Sequence, residues 1–189
     1  MDCGRRRTDH RRLHRRGATP PSRRRSGGPA MTVSVRPATP ADVAEIHRLI
    51  VDLAIYEREP DAVKATPETL HTTLFAPDAQ VFVFIAEIDG RIAGLALWFL
   101  TYSTWTGRPS LYLEDLFVSD WARNAGVGKA LFGALAKEAR MRGAARIDWA
   151  VLDWNEGAKG FYRSIGAHRS TGWEPWRIEG EALSRLADR

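Results

Sequence analysis

Between Arg123 and Gly128 the chain reads Arg-Asn-Ala-Gly-Val-Gly, with Lys129 next. The chemistry open to such a segment is capture of an anion. Glycines let a backbone approach a ligand closely. A helix that starts there offers several unpaired N–H groups and about half a positive charge. Arg123 and Lys129 add full charges. A Gly-x-Gly turn between a strand and a helix is therefore a cradle for a diphosphate, although such a turn also serves as a plain connection. Both common nucleotide fingerprints are missing: there is no G-x-x-x-x-G-K-[ST], and no G-x-G-x-x-G with an acid about 20 residues on.

A second reactive group lies just upstream, in Leu111-Tyr-Leu-Glu-Asp-Leu-Phe-Val118. Glu114 and Asp115 are adjacent carboxylates in an apolar run. Successive strand residues point to opposite faces, so only one of the pair is expected to face a given site. From its own sequence context, Glu114 is either a proton acceptor or a strand-end acid in solvent. Tyr162, after Phe161, reads on its own as a core aromatic with a satisfied hydroxyl. Glu57, after Tyr56, reads on its own as a solvated helix-end charge. The histidines at 10, 14, 47, 71 and 168 show no metal-ligand spacing, and no metal is expected.

The elements that must position these residues follow from periodicity and punctuation. Val33 to Arg36 alternates as a short strand. Thr39-Pro40-Ala-Asp42 is a helix start, followed by apolar residues at Val43, Ile46, Leu49, Ile50 and Leu53. Thr66-Pro67-Glu68 starts a shorter helix that ends near Phe75. Val81 to Ile88 is a strand, Asp89-Gly90 a two-residue hairpin turn, and Arg91 to Leu100 its antiparallel return. Leu111 to Val118 is a further strand. A helix spans residues 126–142, with Gly143 as its stop. Arg146 to Leu152 reads as a strand, and Asn155 caps a helix running to about Ile165. A final pair of short strands is expected near Ala167–Ser170 and Pro175–Ile178. The order predicts a mixed α/β fold: a mostly antiparallel sheet with a parallel βαβ portion, flanked by helices.

Composition divides the chain in two. Residues 1–30 hold ten arginines, no lysine and two aspartates, a net of +8, whereas residues 31–189 carry a net of −3. The first part has prolines, glycines and no helical period, and reads as a disordered extension. It has no apolar core of the kind a secretory signal needs, and the functional chain is expected to start at Met31. A nucleic-acid or membrane-surface role is open only to this arginine-rich segment. Residues 31–189 form one domain, whose acidic balance suits a cationic substrate better than a nucleic acid. The single cysteine, Cys3, allows no disulfide within the chain, so a reducing cytoplasm is the natural compartment. No apolar run approaches the roughly 20 residues of a membrane span.

Arg123-x-x-Gly126-x-Gly128 at a strand–helix junction resembles the acyl-CoA pyrophosphate motif of the GNAT acetyltransferases. It lies between Leu111–Val118 and Trp154-Asn-Glu-Gly-Ala-Lys-Gly-Phe-Tyr162. With Arg36-Pro-Ala-Thr39, Tyr56-Glu57 and Thr101-Tyr-Ser-Thr-Trp105, the set resembles the diamine (spermidine/spermine-type) branch over about residues 33–178. The resemblance implies the GNAT fold, a sheet splayed between two parallel strands with acetyl-CoA entering the gap. It implies that Leu116, Phe117 and Val118 meet the pantetheine arm through their backbones. Arg123, Asn124, Ala125, Gly126, Val127, Gly128 and Lys129 would hold the pyrophosphate, and Asn155 and Ala158 would line the cofactor. Ala158 stands where a hydroxyl-bearing residue is common, which removes one hydrogen bond worth about 0.5–1.5 kcal/mol.

The same resemblance implies the chemistry. An alkylammonium near 10.4 needs about 4–5 kcal/mol to reach its nucleophilic form at pH 7. Glu114, through a water, becomes the base and Tyr162 the acid that protonates the departing thiolate. Tyr56, Glu57, Asp115, Asp148 and Trp149 would touch the amine. Trp173-Glu-Pro-Trp176-Arg177 departs from the relatives' register and is given no role. The implied partners are a small-molecule amine (a polyamine, a diamine or a thialysine-like amino acid) and a second copy in a homodimer. Two other functions are consistent with the same fold: a protein N-α or lysine acetyltransferase, and an acyl-CoA sensor without turnover.

Overall fold

The computed structural model of this 189-residue chain describes residues 32–188. The arginine-rich segment, and the expectations attached to it, lie outside them. Nine elements and one short turn carry the function. They are β1 (Val33–Pro37), α1 (Val43–Tyr56), α2 (Pro67–Phe75), β2 (Val81–Ile88), β3 (Arg91–Ser103), β4 (Arg108–Val118), α3 (Val127–Met141), β5 (Ile147–Trp149) and α4 (Glu156–Ser164). A 3-10 turn, Asp120–Ala122, joins β4 to the loop before α3. A tenth element, α5 (Gly180–Ala187), closes the described chain.

The five strands form one sheet in the order β1-β2-β3-β4-β5. All neighbours are antiparallel except β4 and β5, which run parallel. Helices cover both faces. On one face α1 and α2 bury Ile46, Leu49, Leu70 and Leu74 against Val83, Ile85, Leu95, Leu97 and Phe117. On the other, α3 buries Val127, Leu131, Phe132 and Leu135 against Ala96, Trp98, Leu111 and Leu113. Leu131 and Leu135 are fully buried, and truncating either to alanine costs about 2–5 kcal/mol. Arg36 ties β1 to the start of α1: its guanidinium grips both oxygens of Asp42 at 2.7 and 2.8 Å and reaches Glu87 on β2 at 2.9 Å. That guanidinium holds the Asp42 carboxyl well below the usual carboxylate range.

Two irregularities matter for the site. First, β5 pairs with β4 for three residues only, Leu111–Leu113 against Ile147–Trp149. Strand structure expected to reach Leu152 stops there, and β4 continues to Val118 with β3 on one side and no strand on the other. Second, β4 carries a β-bulge. Leu113 opposes Trp98 and Asp115 opposes Leu97, so Glu114 is the extra residue. A bulge bends the strand and re-aims side chains. Here it shifts the alternation by one. Leu111 and Leu113 pack toward α3, and so do Leu116 and Val118, while Phe117 packs toward α1.

The expected terminal strands do not form. Residues 167–179 have no regular structure, and α5 follows where no helix was expected. A short strand needs a neighbour to satisfy its backbone, and these segments find none within their own chain. Among the described residues, no helix is long and apolar enough to cross a membrane.

Candidate active site

The loop before α3 turns on two left-handed residues, Asn124 at φ 63° and Gly126 at φ 86°. The first intrahelical bond runs from the Ala130 amide to the Gly126 carbonyl at 3.0 Å. Among the described residues, the amides of Gly126, Val127, Gly128 and Lys129 have no hydrogen-bond partner. Four bare donors at a helix start match the acceptor oxygens of a diphosphate. Gly128 must be small for a separate reason: a Cβ there would stand 3.3 Å from the Phe161 ring on α4. Arg123 reaches Asp120 at 2.7 Å and lies over the Tyr56 ring, 5.0 Å from its centroid. Ala125 packs on the α3-side core, and Lys129 is exposed.

Beyond Leu113, the free edge of β4 leads from this loop into the sheet. Backbone groups alternate sides along a strand. The Ser119 amide bonds Ala93 on β3, and the Phe117 carbonyl sits against Gly94. Phe117 therefore turns its backbone toward β3, which corrects its expected part in holding the pantetheine arm. Leu116 and Val118 keep theirs for the open edge. That edge fits an extended, amide-bearing arm such as the one between the diphosphate and the thioester of coenzyme A.

The bulge also corrects the expected geometry of the carboxylates. Glu114 and Asp115 lie between residues that all face α3, so both are turned to the α1 side. Glu114 is exposed, whereas Asp115 is partly buried. Burial, reinforced by Glu114 and Glu57, raises the Asp115 carboxyl to about 6. Glu57, at the end of α1, is pushed upward by burial alone. Neither these two nor Glu114 forms an ion pair among the described residues. Asp115 thus has two further carboxylates, Glu114 and Glu57, within electrostatic reach, and all three lack a cation.

Tyr162 on α4 lies within electrostatic reach of Glu57. Burial raises its hydroxyl first, then the charge of Glu57 and the nearby Tyr56, so the phenol keeps its proton at neutral pH. Its ring is wedged edge-on between Trp149 of β5 at 5.0 Å and Phe132 of α3 at 5.9 Å. Trp149, expected on the amine, packs on the back of Tyr162 and orients it. Asp148 accepts from Arg146 at 2.7 Å, so its charge is already matched.

Asn155 caps α4: its Oδ1 accepts from the Ala158 amide at 3.0 Å. The Ala158 amide is thereby used within the chain. Tyr56, expected on the substrate, instead donates its hydroxyl to the same Asn155 oxygen at 3.2 Å. Reading the sequence missed this link, and missed Arg58, which sits at φ 68° with its guanidinium 4.6 Å from the Trp154 ring centroid. Neither carries a residue-type signal, because both depend on where α1 ends against α4. Among the described residues, no group of three or more metal-ligating side chains comes together.

Bare amides at a helix start beside a free strand edge suit the diphosphate and arm of a coenzyme A thioester, and unmatched carboxylates suit a cation. The comparison with known proteins makes the assignment specific: the chain belongs to the acetyltransferase (GNAT) family, whose profile matches residues 43–167. It is an acetyltransferase, and acetyl-CoA is its donor. It is 36% identical over 167 residues to a thialysine N-epsilon-acetyltransferase from Sus scrofa, covering 82% of this chain and 98% of that protein. It is 31% identical over 204 residues to an L-ornithine N5-acetyltransferase from Arabidopsis thaliana, covering 84% and 90%. Among solved structures, an integron cassette protein from the mobile metagenome of V. cholerae superposes with a TM-score of 0.71. It is 28% identical, with 84% of this chain and 99% of that one covered.

Proposed function

We propose that this enzyme acetylates the primary amine of a small diamine, polyamine or thialysine-like amino acid by direct transfer. The observation that carries the reading is the group Glu57, Glu114 and Asp115, three carboxylates without a cation, of which Glu57 lies within electrostatic reach of Tyr162. An ammonium is the ligand such a group lacks. Thialysine and ornithine, the substrates named for two relatives, are small amino acids with a primary amine at the end of a flexible side chain.

Acetyl-CoA supplies the acetyl group as a thioester. The bare amides at the start of α3, with Arg123 and Lys129, hold its diphosphate, and the β4 edge at Leu116 and Val118 aligns its arm. Glu57 and Asp115 bind the ammonium. Glu114 accepts the proton, through a bridging water, as the nitrogen becomes nucleophilic. Tyr162 donates its proton to the departing sulfur. Positioned acid–base groups of this kind typically contribute about 10²–10⁴-fold. One observation favours a second assignment of the acceptor: Asp115 shares its face with Glu114 and holds its carboxyl at about 6, nearer the working pH than an ordinary aspartate.

The enzyme works as a homodimer in this reading. Support comes from the last 16 described residues, where Trp173, Trp176, Ile178, Leu183 and Leu186 are all exposed.

The deciding experiment is acetyl-CoA turnover across thialysine, ornithine, putrescine, spermidine, lysine and a peptide with a free N-terminus. Turnover of the small amines is expected, with the peptide at least tenfold poorer. A preference for the peptide, or no turnover of any amine, would remove this reading.

A further inference from the structure

Tyr56 stands at a junction that acid–base chemistry does not explain. Its hydroxyl donates to Asn155 Oδ1 at 3.2 Å, the oxygen that also caps α4 through the Ala158 amide. The face of its ring lies beneath the Arg123 guanidinium. It also meets Trp154 at a tilt, with ring centroids 6.0 Å apart. One residue at the end of α1 therefore touches both the diphosphate loop and the helix that carries Tyr162. The next residue in the chain is Glu57.

Arg123 is the most weakly held part of this arrangement. Its pair with Asp120 is a surface contact, with the Asp120 side chain 83% exposed. Such pairs are weak, and a diphosphate on the bare amides of α3 offers the guanidinium a stronger, doubly bonded partner. When Arg123 turns to the diphosphate, the ring beneath it loses or changes its cation contact. Movement of Tyr56 is tied to α4, because its hydroxyl bonds the cap of that helix. A change at the cofactor loop is thus passed to the end of α1, where Glu57 sits, and to the start of α4.

We infer that Tyr56 is a positioning residue that couples the two substrates, so that a filled diphosphate loop strengthens binding of the amine at Glu57 and the amine strengthens binding of coenzyme A. This rests on the two sites proposed above. Linkage requires the same factor in both directions, so one titration measures it.

The test uses the whole chain, coenzyme A without an acetyl group, and thialysine. Calorimetry gives the coenzyme A dissociation constant with and without saturating thialysine. In the unaltered protein thialysine should tighten coenzyme A about fivefold or more, within the usual range of such coupling. In Tyr56→Phe, which keeps the ring under Arg123 and loses the bond to Asn155, the factor should fall below about twofold. Coenzyme A alone should still bind it within about threefold of the unaltered protein, because the amides of α3 are intact. Tyr56→Leu should abolish the coupling. A residue with a purely structural role would lower Tm or both affinities and leave their ratio alone. The inference is overturned if the unaltered protein shows no coupling, or if Tyr56→Phe keeps the full factor. If coenzyme A binds and thialysine is acetylated in either of those cases, the acetyltransferase reading survives the loss of the coupling. If coenzyme A does not bind at all, both fall.

Discussion

Asp115 holds its proton more tightly in the folded chain than an unfolded aspartate near 3.9 does. The sign of the consequence is unusual for a carboxylate. The native state binds the extra proton between about pH 4 and 6, so this residue makes stability fall as pH rises through that window and leaves a constant deficit above it. Asp115→Asn, neutral at every pH, should therefore raise stability at pH 7.5 by about 1–2 kcal/mol, or roughly 3–6 °C in Tm. At pH 3.5 the gain should vanish. Thermal melts at the two pH values check this, and an equal gain at both would mean that burial of the charge is not the cause. The same substitution separates the two proton acceptors. If Glu114 is the base, Glu114→Gln lowers kcat about 100-fold, while Asp115→Asn chiefly raises the amine KM and keeps the pH profile. If Asp115 is the base, Asp115→Asn removes the acidic limb near pH 6 from kcat/KM and Glu114→Gln keeps it. Tyr162→Phe should lower kcat about 10–100-fold with coenzyme A binding retained.

At the scale of elements, the geometry depends on how closely β3 and β4 approach. A Cβ on Gly94 would stand 2.4 Å from the Phe117 carbonyl oxygen, closer than any side chain tolerates. Gly94→Ala should push β4 outward where its free edge faces the pantetheine arm, costing about 1–3 kcal/mol. Coenzyme A affinity should fall in the same variant. A melt and a titration both unchanged would show that the strands absorb the methyl without moving.

Much of this layer was legible in the sequence. The hairpin at Asp89-Gly90 and the helix starts at Thr39-Pro40 and Thr66-Pro67 are local signals, and the elements form where they point. The apolar spacing of α1 and α3 is read out directly as the two faces of the core. The bulge was legible in principle, since the apolar positions toward α3 slip from Leu111 and Leu113 to Leu116 and Val118. Strict alternation puts the two carboxylates on opposite faces, and the bulge puts them on one. The early end of β5 could not be read, because Ala150 to Leu152 fit a strand as well as a loop. What stops the strand is the separation of two chains of atoms, which no residue type records. The junction at Tyr56 is hidden for the same reason: residues 99 apart meet only when α1 and α4 are both in place.

For the whole molecule, the end of the chain is the unresolved balance of forces. In α5, Leu183 and Leu186 are each 53% exposed and no residue is buried, although the helix is amphipathic. Before it, Trp173 and Trp176 are 76% and 88% exposed, and the Trp173 ring meets Trp105, itself 85% exposed, at 5.9 Å. Isolated helices of this length are marginal in water, and a cluster of large exposed apolar side chains marks a surface that another chain covers. The partner proposed is a second copy, because each copy also offers the outer edge of β5, a strand edge unpaired among the described residues. In a two-fold arrangement, each terminal segment would lie against the other copy's β5, the strand that carries Trp149 behind Tyr162. Sedimentation of the unaltered protein should then give roughly twice the 21.2 kDa chain mass. Replacing Leu183 and Leu186 together by glutamate should shift it to the monomer and lower kcat, since Tyr162 loses support through Trp149. Coenzyme A binding should persist, because the loop at Gly126 lies on the same chain as α3. A dimer that withstands both substitutions would move the interface elsewhere. A monomer with full activity would leave the site complete within one chain and the terminal segment without a role in it.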